Sequence, residues 1–183
     1  QPYRVWQLER SRGNHGLRRK PALKSLSIYT SISLVGFTAA WLAANEPFLA
    51  PIIIAVPFGA VFFYYDTKRE SRSWQAELAA PVAFSAVTAS IALLGGWSMG
   101  TALALWAVMV ARSIPSVMYV RARLRLDKGK GNPQITAVVG THLLAFVVIG
   151  ALVWIQQLPA LTLAAFLALA LRAVVCLSEN RQA

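Results

Sequence analysis

Arg112 stands inside an otherwise apolar run, and that position gives this sequence its clearest opening for chemistry. At 1.5 Å per residue it lies on the order of 10 Å below Arg121, the first arginine at the run's polar end. An arginine at the centre of a membrane helix costs about 2.5–3.5 kcal/mol, and less off-centre. Two readings meet there. In one, the side chain snorkels to the surface. In the other, it lines a polar cavity with a partner, and Pro115 favours this by opening backbone carbonyls nearby. Arg112, Ser116, Tyr119 and Arg123 follow at steps of four, three and four, which is one face of a helix. With Arg121 and Arg125 they form a polar stripe entering the apolar run from one end. An anionic or amphiphilic ligand would need such a stripe.

Carboxylates supply the complement. Asp66 and Glu70 share a face at i,i+4 if the helix continues past Tyr65, with Arg69 beside Asp66. Two oxygen donors so placed can hold Mg²⁺, which recruits phosphates in turn. A solvated mixed-charge loop is the simpler reading of the spacing alone. Glu77 opens an apolar run and needs a partner at the interface. Asp127-Lys128-Gly129-Lys130-Gly131-Asn132 could wrap a phosphate with backbone N–H groups, but it lacks P-loop spacing and reads more simply as a solvated loop. His142 lies about a turn and a half into an apolar run. It is either a hydrogen-bonded histidine between helices or a proton or head-group contact. No His/Cys cluster supports zinc, no metal ligands are assigned, and no catalytic set is evident. Cys176 is the single cysteine, so an intrachain disulfide is excluded.

The elements that must position these groups are six apolar stretches, at about 26–44, 48–65, 77–95, 99–118, 135–154 and 159–177. Each is close to the 20 residues a bilayer core requires, and continuous runs such as Pro51-Ile52-Ile53-Ile54 suit helices rather than barrel strands. The chain is 57% hydrophobic and 14% charged, against about 25% charged for soluble domains. The expected fold is an all-α polytopic transmembrane bundle of six spanning helices. All 18 Lys and Arg fall in connections 1–25, 66–76, 119–134 and 178–183 or the helix ends adjoining them. Connections 45–47, 95–98 and 155–158 hold none. Basic flanks are retained in the cytoplasm, so both termini are expected there. The division that follows is a basic cytoplasmic segment 1–25, a transmembrane domain 26–177 and a cytoplasmic tail 178–183. The charge of +11 flanks apolar spans, so the expected partners are anionic lipid head groups and not nucleic acid. Pro57 predicts a kink in the second span. Gly95-Gly96-Trp97-Ser98 reads as a turn.

Two stretches resemble the YwiC-like family of bacterial membrane proteins. One is Asp66-Thr67-Lys68-Arg69-Glu70-Ser71-Arg72-Ser73-Trp74 with Glu77. The other is Arg112-Ser113-Ile114-Pro115 running on to Tyr119-Val120-Arg121-Ala122-Arg123-Leu124-Arg125. The likeness extends through the chain in span count and loop order. Family members begin with two further spans and a Glu-His-Gly-Ala-Trp motif that this sequence lacks, so the resemblance implies an N-terminally incomplete member. The family's biochemical role is unassigned. Its layout resembles the UbiA-type intramembrane prenyltransferases, which hold Mg²⁺ and a prenyl diphosphate on aspartate-rich motifs. Asp66 and Glu70 copy the first motif poorly, and Asp127 alone does not make the second.

The expected function is a cytoplasm-facing basic pocket for an anionic amphiphile such as a prenyl diphosphate. Arg112, Tyr119, Arg121, Arg123, Arg125 and His142 would form it, with Asp66, Glu70 and Glu77 as acidic partners of the arginines or of Mg²⁺. An enzyme built this way would be a prenyltransferase-like transferase. Two alternatives stand beside it: a transporter of a small anion or proton lined by Arg112, His142 and Glu77, and a non-catalytic membrane subunit.

Overall fold

Long apolar segments leave the backbone no water to bond, and a helix is the local structure that pairs its own N–H and C=O groups. The computed structural model describes residues 19–44, 47–70, 72–129 and 134–178, and no strand occurs among them. Six helices follow one another: α1 (Arg19–Ala43), α2 (Ala50–Thr67), α3 (Trp74–Leu94), α4 (Met99–Asp127), α5 (Ile135–Trp154) and α6 (Leu161–Ser178). Five are long and apolar enough to cross a membrane; α6, apolar over Leu161–Leu177, is the shorter sixth. The fold is therefore the all-helical bundle the apolar runs predict.

The chain divides into two units, 1–45 and 46–183. The first contributes α1, which begins at Arg19, so Lys20 and Lys24 lie within the helix and not ahead of it. Its apolar side chains are exposed, Leu42 at 81%, and Phe37 and Trp41 approach at 6.2 Å.

In the second unit each helix packs on the next, from α2 to α6, with a smaller contact between α4 and α6. Small residues allow that closeness. On α3, Ala76, Ala79, Ala86, Ala89 and Ala92 are buried, and Gly59 of α2 lies against Ala83. Ala111, Ala145, Ile149 and Phe166 join α4, α5 and α6 in a core. Outward-facing side chains are large and apolar, Trp154 at 88% exposure among them, a surface that suits lipid and not water.

Hairpin geometry gathers the basic residues at one end of this unit. Arg121, late in α4, reaches Glu77 in the first turn of α3, and Arg123 reaches Cys176 near the end of α6. At the other end the Gln157 amide comes within 3.3 Å of the Cβ position of Gly100. The lengths matter. With 29 residues, α4 runs about 43 Å, against a hydrocarbon core of about 30 Å. Its last turns, carrying Arg121, Arg123 and Arg125, therefore stand clear of the core.

Helices α2 and α3 end in Schellman motifs. At α3 the Gly96 N–H bonds Leu93 O and the Trp97 N–H bonds Ala92 O, with Gly96 at φ +80°. At α2 the same pair of bonds runs from Arg69 to Asp66 and from Glu70 to Tyr65, with Arg69 at φ +61°. Gly96 is thus loop chemistry, as its setting implies. The α2 ending removes the premise for a shared Asp66–Glu70 face. The helix stops at Thr67, so these carboxylates are not one turn apart on a continuing helix. Pro57, Pro81 and Pro115 all lie inside helices, and each leaves the carbonyl four residues back without its usual donor.

Candidate functional site

Three of the charged groups singled out above meet in one groove. A cavity of about 750 Å³ opens between α2, α3 and α4, and Glu77, Arg112 and Arg121 all line it. The α4 wall is two adjacent rows at four-residue steps, Arg112-Ser116-Val120-Leu124 and Ser113-Val117-Arg121. The α3 wall is Ala76, Glu77, Ala80, Pro81 and Phe84. Phe62 of α2 closes the apolar side, meeting Phe84 edge-on at 5.4 Å.

Local sequence sets each position. Ser73 caps α3, its hydroxyl accepting from the Ala76 N–H, and this starts the helix four residues before Glu77. A carboxylate in the first turn suits the positive end of the helix. Glu77 pairs with Arg121, whose Nη1 also donates to the Arg72 carbonyl at 3.3 Å. Both side chains of the pair are about three-quarters covered, at 25% and 28% exposure. Lower down, Ser116 donates to the Arg112 carbonyl at 2.8 Å, so this hydroxyl is spent on backbone. The Arg112 guanidinium is exposed along the groove and has no hydrogen-bond or ion-pair partner among the described residues. The groove thus holds a neutralised pair at its mouth and an uncompensated cation at its deep end.

The other candidates lie elsewhere. Arg123 turns from the groove toward α6: its Nη1 donates to the Cys176 carbonyl at 3.0 Å and its Nε pairs with Asp127 at 3.2 Å. Tyr119 lies on the same flank, near the Cys176 thiol, Arg123 and Arg172. The predicted Arg112–Ser116–Tyr119–Arg123 face therefore splits across two neighbours of α4. Arg125 and Arg121 line a second cavity of about 490 Å³, with Trp74, Met118, Gln134, Thr136 and Ala137. His142 faces a third, of about 510 Å³, between α5 and α6, whose other lining residues are apolar. Its Nδ1 meets the Val138 carbonyl at 2.8 Å, one turn back in α5. A carbonyl only accepts, so Nδ1 is the donor in this contact.

Asp66 and Glu70 do not line the groove, and no group of three or more His, Cys, Asp or Glu residues among those described could hold a metal. Of the phosphate-wrapping loop 127–132, residues 130–132 fall outside the described residues. Lys68, just past the end of α2, donates to the Tyr64 hydroxyl, and this bond raises its pKa from the ordinary lysine value. Sequence reasoning missed Ser113, Phe62 and Phe84 as groove walls, although Phe84 falls seven residues after Glu77, on the same face. It also missed Trp106, whose indole N–H donates to the Val82 carbonyl at 3.0 Å and ties α4 to α3 at mid-height.

Comparison with known families meets this geometry on its α2–α3 side. Residues 2–92 match the model of the YwiC-like protein family. The YwiC-like stretch takes in Asp66–Trp74 and Glu77, and it ends before Arg112. The match thus reaches the acidic wall of the groove and not its basic one, where the sequence reading carried the likeness through the whole chain. No curated protein and no solved structure matches the chain.

Proposed function

We propose that this YwiC-like integral membrane protein binds an anionic amphiphile, such as a prenyl diphosphate, in the groove between α2, α3 and α4. The observation that carries the reading is Arg112. It is a cation without a described partner, roughly 20 Å along α4 from Met99, in a groove whose other charged lining residues, Glu77 and Arg121, are paired with each other. A charge at that depth is costly alone and favourable beside an anion, and guanidinium pairs with phosphate oxygens through two parallel hydrogen bonds. Phe62, Phe84, Val117 and Val120 offer the apolar wall that the ligand's chain would follow. Entry is from the cytoplasmic face of a bacterial inner membrane, where the basic end of the bundle lies in this reading, with both termini on that side and 1–25 and 178–183 as aqueous segments. If catalysis accompanies binding, Mg²⁺ would come with the diphosphate. A path for a small anion or proton draws no support from the placement of His142, which lines a different cavity from Arg112 and Glu77.

The test is thermal unfolding of purified protein in detergent with farnesyl diphosphate, with and without Mg²⁺. The expected result is a concentration-dependent rise in melting temperature that Arg112→Ala abolishes. A rise of equal size in the variant removes Arg112 from the site. No rise in either protein, together with solute uptake by sealed proteoliposomes, replaces binding with transport.

A further inference from the structure

The second basic cavity is a site of a different kind. It sits between the start of α3, the late turns of α4 and the start of α5. Arg121 and Arg125 are one turn apart on α4, and no carboxylate is among the described residues that line the space they share. Arg121 has committed Nη1 to Glu77 and the Arg72 carbonyl, which leaves donors of its five unspent. Arg125 has no hydrogen-bond or ion-pair partner among the described residues. Thr136 adds a hydroxyl. The opening turn of α5 makes up the remaining side, and its N-cap, Gln134, provides no side-chain cap. The first N–H groups of a helix favour an anion, which adds to the field of the arginine pair.

We infer that this cavity is a second anion site, built for a phosphate-type group and separate from the groove. Two guanidiniums one turn apart offer paired donors to a tetrahedral oxyanion. At about 490 Å³ the cavity exceeds what the phosphate itself fills, and Trp74 and Met118 give it an apolar patch. The ligand class is therefore a phosphomonoester with a small organic body, or a lipid head group ending in one. Arg121 walls both this cavity and the groove, so ligands in the two contend for the same side chain and their affinities are linked.

Calorimetric titration of the whole chain tests this, in phosphatidylcholine nanodiscs with inorganic phosphate and chloride at matched ionic strength as the blank. A second arm uses nanodiscs containing phosphatidic acid and measures the rise in melting temperature over phosphatidylcholine alone. Response to inorganic phosphate assigns a soluble source, and response only to phosphatidic acid assigns the lipid. In either arm Arg125→Gln should weaken the response about tenfold, the effect of losing one charge-assisted partner. Arg112→Gln should leave a response that adding Arg125→Gln removes, which separates failure here from failure of the groove reading. Arg125→Lys keeps the charge and loses the fork, so a several-fold loss is expected; this variant also serves where Arg125→Gln does not fold. The proposal is overturned if wild type responds to neither probe, if Arg125→Gln and Arg125→Lys bind as wild type does, or if Arg112→Gln abolishes the response.

Discussion

The groove beside α3 and the cavity between α5 and α6 are both lined mostly by apolar side chains, at about 750 and 510 Å³. They differ in how polarity is settled. In the α5–α6 cavity the single polar side chain among the described lining residues, His142, meets a carbonyl of its own helix through Nδ1, and no Asp, Glu, Lys or Arg lines the space. In the groove one charged pair is closed and one guanidinium is left open. The difference shows where apolar walls serve packing and where they serve a ligand. A polar atom answered within its own turn makes no demand on a partner, whereas a cation within the span makes a large one.

Substitutions can break or sharpen this contrast. The largest effect is expected at Arg112. Arg112→Leu in ligand-free protein should raise stability by up to about 2 kcal/mol, because it removes a charge held off-centre in the membrane, while abolishing the ligand-dependent shift. A destabilised, ligand-free Arg112→Leu would mean that the cation is answered within the protein and that the contrast fails. Next is Glu77→Gln, which leaves Arg121 without its carboxylate. A loss of about 1 kcal/mol is expected, since the pair is partly exposed, and chemical unfolding in mixed micelles would measure it. Smaller again is Trp106→Phe, which forfeits the bond to the Val82 carbonyl for about 0.6 kcal/mol and should loosen the α3–α4 wall equally with and without ligand. His142→Leu should change stability least, by a few tenths of a kcal/mol, because its bond spans only one turn. It should also leave groove binding intact in the melting assay; loss of binding would join the two cavities into one site.

The helices were legible because length and apolar continuity decide them, and the closing of 66–77 and 119–125 on one end followed from strict hairpin alternation. Glu77 needed a partner by its place at the edge of an apolar run, and it has one in Arg121. Two things were not legible. The end of α2 is made by Arg69 in the left-handed region, a role that glycine fills at Gly96. An arginine there costs on the order of 1 kcal/mol, and its sequence does not mark the stop, so a shared face for Asp66 and Glu70 stays open in the sequence beside the solvated loop. The split of the α4 stripe was hidden for another reason. Periodicity says which residues share a face, but the angular positions of α3 and α6 decide which neighbour each residue meets. Tyr119 and Arg123 fell to α6, and Arg112 and Ser116 to the groove. Arg172 carries the same signal as Arg112, a cation inside an apolar run.

The length of α4 makes acyl chains a control on this protein. A helix of 29 residues overruns the hydrocarbon by about 13 Å, so the thickness of the lipid sets how far its arginine-rich turns stand beyond the boundary. Longer lipids draw the arginine-rich turns toward oil and sink Arg112 further from water. Shorter ones lift it toward the aqueous boundary and lessen its need for a counter-anion. Host membranes that remodel their fatty acids on cooling or heating would thereby retune affinity in the groove without touching a single residue.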